Sequence, residues 1–216
     1  MNNFWFFGDS FTEGAGCIPT YEFYEKYPEI RDKKWTTIVS DTLGFREKNL
    51  GNGGTANDTI LRTILQNIPF MEPGDVVSIS STHPVRVEYI HPITLETVWT
   101  NTTAVDDDLL KDLDKEYRYA MVDYISLFIN QDHLIGPWVK YHTDRFQLIA
   151  DILKNLNITT FIWDVHPYIH KFESIYKYTD ERIEDYHWSW NGHREFANLF
   201  LNEFVKDNLH DKRRVL

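Results

Sequence analysis

The chain has 216 residues, and its 33 acidic and 22 basic side chains give a formal net charge of −11. A chain of this length buries a sufficient core as one domain, and its single cysteine, Cys17, excludes an intrachain disulfide and a zinc site built on several thiolates. The acidic balance disfavours binding to nucleic acids or anionic membranes, because both require a basic surface. No apolar run reaches the roughly 20 residues of a membrane span, and residues 1–7 lack the features of a signal peptide. We therefore expect a cytoplasmic globular domain.

The hydrophobic pattern predicts strands and helices in alternation. In chain order, the first half contains a strand at Asn3–Phe7, a helix at about Trp35–Leu43 that ends at Gly44, a strand at Phe45–Leu50, a helix capped by Asn57 or Asp58, and a strand at Asp75–Ser80. The second half contains a helix near Tyr141–Asn155, a strand at Ile158–Trp163 and a helix at Asn191–Val205. The helix after Asn57 or Asp58 has an apolar face of Ile60, Leu61, Ile64, Leu65 and Ile68.

Short strands that alternate with helices are typical of a parallel sheet with helices on both faces. We therefore predict an α/β fold in a single domain over residues 1–216. The stretch at about residues 85–136 is an insertion between the third and fourth strands, since the alternation does not require it. Within it, Val85–Trp99 alternates as a hairpin does, and Asp106–Phe128 predicts a helix behind an acidic start.

Residues that could perform chemistry follow the predicted strands. Reactive groups of such sheets collect at the carboxyl ends of the strands. A serine nucleophile needs a histidine to accept its proton, a carboxylate to orient that histidine, and donors for the oxyanion. The segments that supply these parts are Gly8-Asp9-Ser10 after the first strand, Gly53-Gly54 after the second, Ser80-Ser81-Thr82-His83 after the third, and Asp185-Tyr186-His187 before the last helix.

Three of these segments resemble the conserved blocks of the SGNH (GDSL-type) hydrolase family. Gly8–Gly14 resembles the first block, Asn49–Thr55 the second and His187–His193 the last, in the expected order. The resemblance implies a three-layer α/β/α fold and cofactor-free hydrolysis of an ester through an acyl-serine.

The resemblance also implies a role for each matching residue. Ser10 would be the nucleophile, and His187 would be the general base and then the general acid. Asp185 would orient His187, and the backbone N–H groups of Ser10 and Gly54 would donate to the oxyanion.

The sequence departs from the family in two places. The family carries its acid three residues before the histidine, where this chain has Glu184, and we favour Asp185, two residues before, with Glu184 as the alternative. The family's third block has an oxyanion asparagine, and none is present at the corresponding stretch from Ser80 to Pro84. The Thr82 hydroxyl or the His83 N–H would donate in its place. Because loss of one such donor costs about 10²–10³ in rate, slow or altered chemistry is expected.

Other residues near the predicted site have two open interpretations. Asp164 and His166 form a competing acid–histidine pair that would otherwise line the pocket. Arg86 is a candidate clamp for an anion or a surface salt bridge, and Asp9 is a candidate contact to substrate. Trp188 and Trp190 closely follow His187 and either pack the last helix or stack on a sugar ring.

No metal or cofactor is expected, because the nine histidines include no His-Glu-x-x-His motif. We predict a serine ester hydrolase that cleaves a small acyl ester, with an O-acetylated carbohydrate as the leading substrate. One alternative is an SGNH-fold glycan-binding or structural module, for instance in a virus particle. A further alternative is an O-acyltransferase, which would pass the acyl group to a sugar hydroxyl.

Overall fold

The computed structural model describes residues 1–15, 34–84, 86–90, 97–100, 132–172 and 187–205. Its strands are β1 (Asn3–Phe7), β2 (Arg46–Asn49), β3 (Val76–Ser81), β4 (Val87–Ile90), β5 (Thr97–Thr100) and β6 (Thr159–Asp164). Its helices are α1 (Ser10–Glu13), α2 (Trp35–Leu43), α3 (Asn57–Asn67), α4 (Asp132–Asn155) and α5 (Trp190–Phe200), which continues as a π-helical turn over Leu201–Val205. Short 3₁₀ helices follow α3 at Ile68–Phe70 and β6 at His166–Tyr168.

The described main sheet is parallel and has the strand order β2-β1-β3-β6. β1 lies between β2 and β3, so its carboxyl end is flanked by the ends of both neighbours. All four strands lie within two residues of their predicted positions, because each predicted run is buried or ends in a turn. This arrangement confirms the predicted parallel sheet and brings the segments that follow the strands to one edge.

Helices cover both faces of the sheet, which confirms the three-layer α/β/α fold. Alternate residues of β1 point to opposite faces. Phe4 and Phe6 pack with Trp35 of α2 and Phe196 of α5 on one face. On the other face, the core residues from β1, α3 and α4 are Trp5, Phe7, Ile60, Leu61, Ile64, Phe146, Ile149 and Leu153.

A buried carboxylate fastens the amino end of β1 to β3. Asp75 accepts hydrogen bonds of 2.8 Å from the Asn3 backbone N–H and from the Trp5 indole N–H. Burial raises the pKa of Asp75, but the hydrogen bonds from Asn3, Trp5 and Glu72 outweigh it and hold the pKa below its ordinary value. Asp75 is therefore a charged group that the fold stabilises at the edge opposite the candidate site.

The structure corrects two local predictions about α3. Its N-cap is Ala56, without a side-chain cap, so neither Asn57 nor Asp58 caps the helix. Leu65 is 53% exposed although the helical spacing predicts it in the core.

The insertion is described in part. β4 and β5 pair in antiparallel register, with Val87 opposite Thr100, as the alternation predicts. The predicted helix at Asp106–Phe128 lies outside the described residues. α4 begins at Asp132, earlier than the predicted start, and continues through Pro137.

Among the described helices, none combines the length and apolar character needed to cross a bilayer.

Candidate active site

Ser10 lies on the tight connection between β1 and α1, at the carboxyl edge of the sheet. It is the first residue of α1, and Asp9 caps this short helix by accepting a hydrogen bond of 3.1 Å from the Phe11 N–H. A Cβ at Gly8 would lie 2.8 Å from Cβ of Ser80 and would collide with Thr12, so only glycine fits before Asp9. The close approach of β1 to β3 and α1 therefore fixes where Ser10 is presented.

The glycine loop after β2 folds against α1. The Gly53 N–H donates a 2.8 Å hydrogen bond to the Glu13 carboxylate. A Cβ at Gly53 would lie 3.7 Å from Cβ of Ser10, so the loop backbone is a direct neighbour of the serine. Gly54 has a φ of 73°, in the left-handed region that favours glycine. The structure thus places Gly54 on the loop beside Ser10.

Asn49 braces the same junction from the end of β2. Its amide nitrogen donates to the Thr12 carbonyl at 2.7 Å, and its amide oxygen accepts from the Gly51 N–H at 2.9 Å. A Cβ at Gly51 would collide with the α1 backbone at Glu13. The start of the glycine loop is therefore packed tightly onto the helix that begins with Ser10.

Asp9 is the centre of a buried polar network. The Thr82 hydroxyl donates to Oδ2 of Asp9 at 2.8 Å, and Nη1 of Arg86 approaches the same oxygen at 3.3 Å. Arg86 also donates to the Thr55 carbonyl at 3.4 Å. The side chains of Asp9 and Arg86 are only 2% and 14% exposed, so their ion pair is internal and not a surface salt bridge. The network connects the segments that follow β1, β2 and β3.

Asn57 holds the backbone of Thr82 in place. Its amide nitrogen donates to the Thr82 carbonyl at 3.0 Å, and its amide oxygen accepts from the Thr82 N–H at 2.8 Å. Both donors of Thr82 are therefore directed at protein acceptors, Asn57 and Asp9. This geometry gives Thr82 a positioning role and leaves it without a donor for an oxyanion. Sequence reasoning missed the role of Asn57 because its partner lies 25 residues away.

The two histidines after β3 and β6 contact each other. The rings of His83 and His166 have centroids 4.8 Å apart, at nearly perpendicular planes. Burial, followed by the charges of His166 and Arg86, lowers the pKa of His83 to about 4, so this imidazole is neutral near pH 7. Asp164 accepts from the backbone N–H of His166 at 3.0 Å. That bond caps the turn after β6 and is not the carboxylate–imidazole contact of a catalytic pair.

His187 lies beside α1. Its ring centroid is 5.1 Å from that of Phe11, the residue after Ser10, and the residue is half-buried. The predicted acids Asp185 and Glu184 lie outside the described residues, as does Cys17. The structure therefore brings His187 to the helix of the candidate nucleophile, and the identity of the acid stays a prediction.

The aromatic residues next to His187 have different environments. Trp188 is fully buried, packs on Phe11 and Phe196, and donates its indole N–H to the Tyr168 carbonyl at 3.2 Å. Of its two predicted roles, packing of the last helix matches these contacts, and stacking on a sugar does not. Trp190 is half-buried at the start of α5.

His193 faces the interior of the protein. It is fully buried, and its Nε2 lies 3.4 Å from the Ala15 carbonyl. Burial lowers its pKa to about 4, against the contribution of the Ala15 carbonyl, which raises it. His193 is therefore a neutral structural histidine.

Comparisons with known proteins give structural likenesses only. Neither a protein-family model nor a curated protein matches the chain. A lipolytic protein of the G-D-S-L family from Veillonella parvula is 13% identical, with a TM-score of 0.42, over 95% of this chain and 100% of its own. LAE5, an α/β hydrolase enzyme from the metagenome of Lake Arreo, is 15% identical, with a TM-score of 0.42 and 93% of both chains covered.

An acetyl xylan esterase from the rumen bacterium Butyrivibrio proteoclasticus is 13% identical, with a TM-score of 0.39, over 94% of this chain and 64% of its own. Likeness at these identities and TM-scores carries no conclusion about activity.

Proposed function

We propose that the chain is a serine ester hydrolase of the SGNH type. The observation that carries this proposal is the position of Ser10. It begins α1 at the carboxyl end of the central strand β1, with the glycine loop on one side and the ring of His187 against the next residue, Phe11. In this proposal the nucleophile, the oxyanion loop and the base come from three separate segments at one edge of the sheet.

The proposed reaction follows the acyl-serine sequence. Oγ of Ser10 attacks the acyl carbon while its proton passes to the imidazole of His187. The backbone N–H groups of Ser10 and Gly54 donate to the resulting oxyanion. On collapse, protonated His187 gives its proton to the departing alcohol. Water, deprotonated by the same imidazole, then releases the acid and restores the Ser10 hydroxyl.

The acid behind His187 is proposed to be Asp185, with Glu184 as the alternative. A carboxylate there holds the imidazole in the tautomer that can accept the serine proton, and it stabilises the imidazolium that forms. No cofactor takes part in this scheme.

The oxyanion hole would contain fewer donors than the family pattern. Because both donors of Thr82 bond to Asn57 and Asp9, the remaining candidate for the missing asparagine is the backbone N–H of His83. A missing donor costs about 10²–10³ in rate. We therefore expect slow turnover of simple esters.

The proposed substrate is a small acyl ester of an uncharged alcohol, with an O-acetylated carbohydrate as the leading candidate. The net charge of −11 disfavours anionic polymers. Trp190, which begins α5 three residues after His187, is the aromatic residue offered for contact with a sugar ring.

The direct test is hydrolysis of p-nitrophenyl acetate by the native chain and by Ser10→Ala. We expect turnover by the native chain and its loss in Ser10→Ala. Ser40→Ala is the matched control, because Ser40 is also buried, lies in α2 and makes no side-chain hydrogen bond among the described residues. Equal turnover by the native chain and Ser10→Ala would disprove the proposal.

Two further assays separate the alternatives. A fluorophosphonate probe should label Ser10 in the hydrolase, whereas oligosaccharide binding without labelling would favour a glycan-binding module. Release of free acetate in the presence of an acceptor sugar supports hydrolysis. Transfer of the acetyl group to that sugar would instead assign the chain as an acyltransferase.

A further inference from the structure

A cavity of about 210 Å³ lies between α4 and the carboxyl ends of β3 and β6. Ser10 does not line it. Thr82 does, and the hydroxyl of Thr82 bonds to Asp9, so the cavity borders the Asp9 network. The reaction proposed above makes no use of this cavity.

The strand pattern explains why polar groups reach the cavity floor. Alternate residues of β3 face α3 and α4, so Ser81 shares the face of Val77 and Ile79. Ser81 is the register partner of Asp164, at the end of β6. A hydroxyl and a carboxylate therefore stand side by side where the buried apolar part of each strand ends, and both line the cavity.

The wall formed by α4 carries a histidine in place of an apolar residue. The buried stripe of this helix consists of His142, Phe146, Ile149 and Leu153, at helical spacing. His142 is only 3% exposed, and its Nδ1 has no hydrogen-bond partner within the described ranges. Burial lowers the pKa of His142, so the ring is neutral near pH 7. A buried polar atom without a partner is unfavourable unless a ligand or a water molecule supplies one.

The remaining lining combines hydroxyl and apolar groups. Thr143 donates its hydroxyl proton to the Val139 carbonyl at 2.8 Å, so toward a ligand this hydroxyl can act only as an acceptor. Phe146 and Ile162 contribute apolar surface. A negative ligand is disfavoured because Asp164 is the charged group of the lining. The volume lies below the roughly 300–1,000 Å³ of pockets for drug-sized ligands, so the ligand is small.

We propose that this cavity binds one uncharged, hydroxyl-rich ring, namely a single monosaccharide unit. Its hydroxyls would donate to the Asp164 carboxylate and pair with His142 and Ser81, while its C–H face would contact Phe146 and Ile162. This proposal rests on the proposed function in one respect: the bound sugar would be the alcohol part of the ester substrate. The binding itself requires no Ser10.

The test is saturation-transfer difference NMR with the full chain and methyl glycosides of glucose, galactose, xylose and N-acetylglucosamine. We expect saturation transfer to at least one glycoside. Cyclohexanol, which has a ring of similar size and one hydroxyl, and methyl glucuronoside, which is anionic, should bind at least tenfold more weakly. Absence of transfer to all four glycosides, or equal binding of cyclohexanol, would overturn the proposal.

Two variants locate the binding in this cavity. His142→Phe removes Nδ1 and keeps a ring that can stack on Trp138, whose centroid lies 5.6 Å from that of His142. Ser81→Val removes the hydroxyl and narrows the floor without touching α4. Each variant should weaken glycoside binding at least tenfold. The control substitution His170→Phe, at an exposed position, should leave the binding unchanged. Native affinity in both cavity variants, with thermal unfolding confirming that they fold, would place the sugar elsewhere and refute the assignment.

Ser10→Ala keeps the failures of the two proposals apart. We expect it to lose ester hydrolysis and to keep native glycoside binding. Serine-dependent hydrolysis without glycoside binding would refute the cavity assignment alone. Glycoside binding by a chain that hydrolyses esters equally well with and without Ser10 would refute the proposed function alone.

Discussion

The hydroxyl of Thr82 donates a 2.8 Å hydrogen bond to Oδ2 of Asp9, the residue that precedes Ser10. This bond joins the end of β3 to the cap of α1 and is buried on both sides. Since the Asp9 side chain also accepts from the Phe11 N–H, a shift of Thr82 would be passed on to the first turn of α1. The stretch from Ser80 to Pro84, which lacks the asparagine of the SGNH pattern, is therefore connected to Ser10 through the bond between Thr82 and Asp9.

We predict that Thr82→Val, which keeps the side-chain shape and removes the hydroxyl, lowers kcat for p-nitrophenyl acetate about tenfold and leaves KM nearly unchanged. Because the acceptor of this bond is the charged Asp9 carboxylate, its loss should lower the free energy of unfolding by about 1.5–3 kcal/mol. Steady-state kinetics and urea unfolding measure the two effects. Thr63→Val is the matched control, because it removes a hydroxyl that bonds to the Thr59 carbonyl within α3. A rise in KM with native kcat would contradict a positioning role.

The ion pair of Arg86 and Asp9 provides a second prediction. Arg86→Met should destabilise the fold by about 3–5 kcal/mol, because it leaves the buried Asp9 carboxylate without its countercharge. Adding Asp9→Asn to that variant should recover part of the loss, since the neutral amide needs no countercharge. Urea unfolding of the two single variants and the double variant gives the coupling free energy. Strict additivity of the two single effects would show that the pair is not coupled.

The main elements could be predicted because local signals determine them. β1 is found at its predicted residues, since a continuous apolar run bounded by Gly8 has no other favourable place than a central strand. α2 ends at Gly44, which adopts the left-handed conformation that its position predicts. These features depend on neighbouring residues alone, so a pattern within ten residues was sufficient.

The polar contacts could not be predicted, because their partners are remote in sequence. Asn57 has the residue type of an N-cap, but its amide bonds to the Thr82 backbone and Ala56 takes the cap position. Arg86 has the appearance of a surface cation, yet its partner Asp9 lies 77 residues earlier and is buried with it. Tertiary contacts override local preference where strand ends converge, which is where the candidate site lies.

Two histidines with a strongly lowered pKa, the half-buried His83 and the fully buried His193, predict how stability depends on pH. The pKa values of His83 and His193 are lowered to about 4 in the fold, against about 6.5 for an unfolded chain. Between these values the unfolded chain binds more protons than the folded one, so their contribution is fully present above pH 6.5 and is lost as the pH falls toward 4. The slope approaches about 1.4 kcal/mol per pH unit for each group.

Asp75 acts in a lower pH range. Because its pKa is lowered in the fold, the ionised carboxylate stabilises the protein at pH values above the ordinary pKa of 3.8. This stabilisation is lost as the pH falls further. Urea unfolding from pH 7 to pH 3 should therefore show a decline below pH 6.5 that is reduced in His193→Gln. Asp75→Asn should leave that decline in place. The control exchange at the exposed His170, His170→Gln, should follow the native curve. A His193→Gln curve parallel to the native one would contradict the assignment.

The acid behind His187 can be identified by paired substitutions of similar shape. Asp185→Asn should reduce kcat about 10⁴-fold, because an amide in that position favours the wrong tautomer of the imidazole. Glu184→Gln should change kcat less than tenfold and is the internal control. Both variants should still be labelled at Ser10 by a fluorophosphonate, more slowly in Asp185→Asn. The reverse ranking would assign the acid to Glu184, and native kcat in both variants would remove the carboxylate from the proposed mechanism.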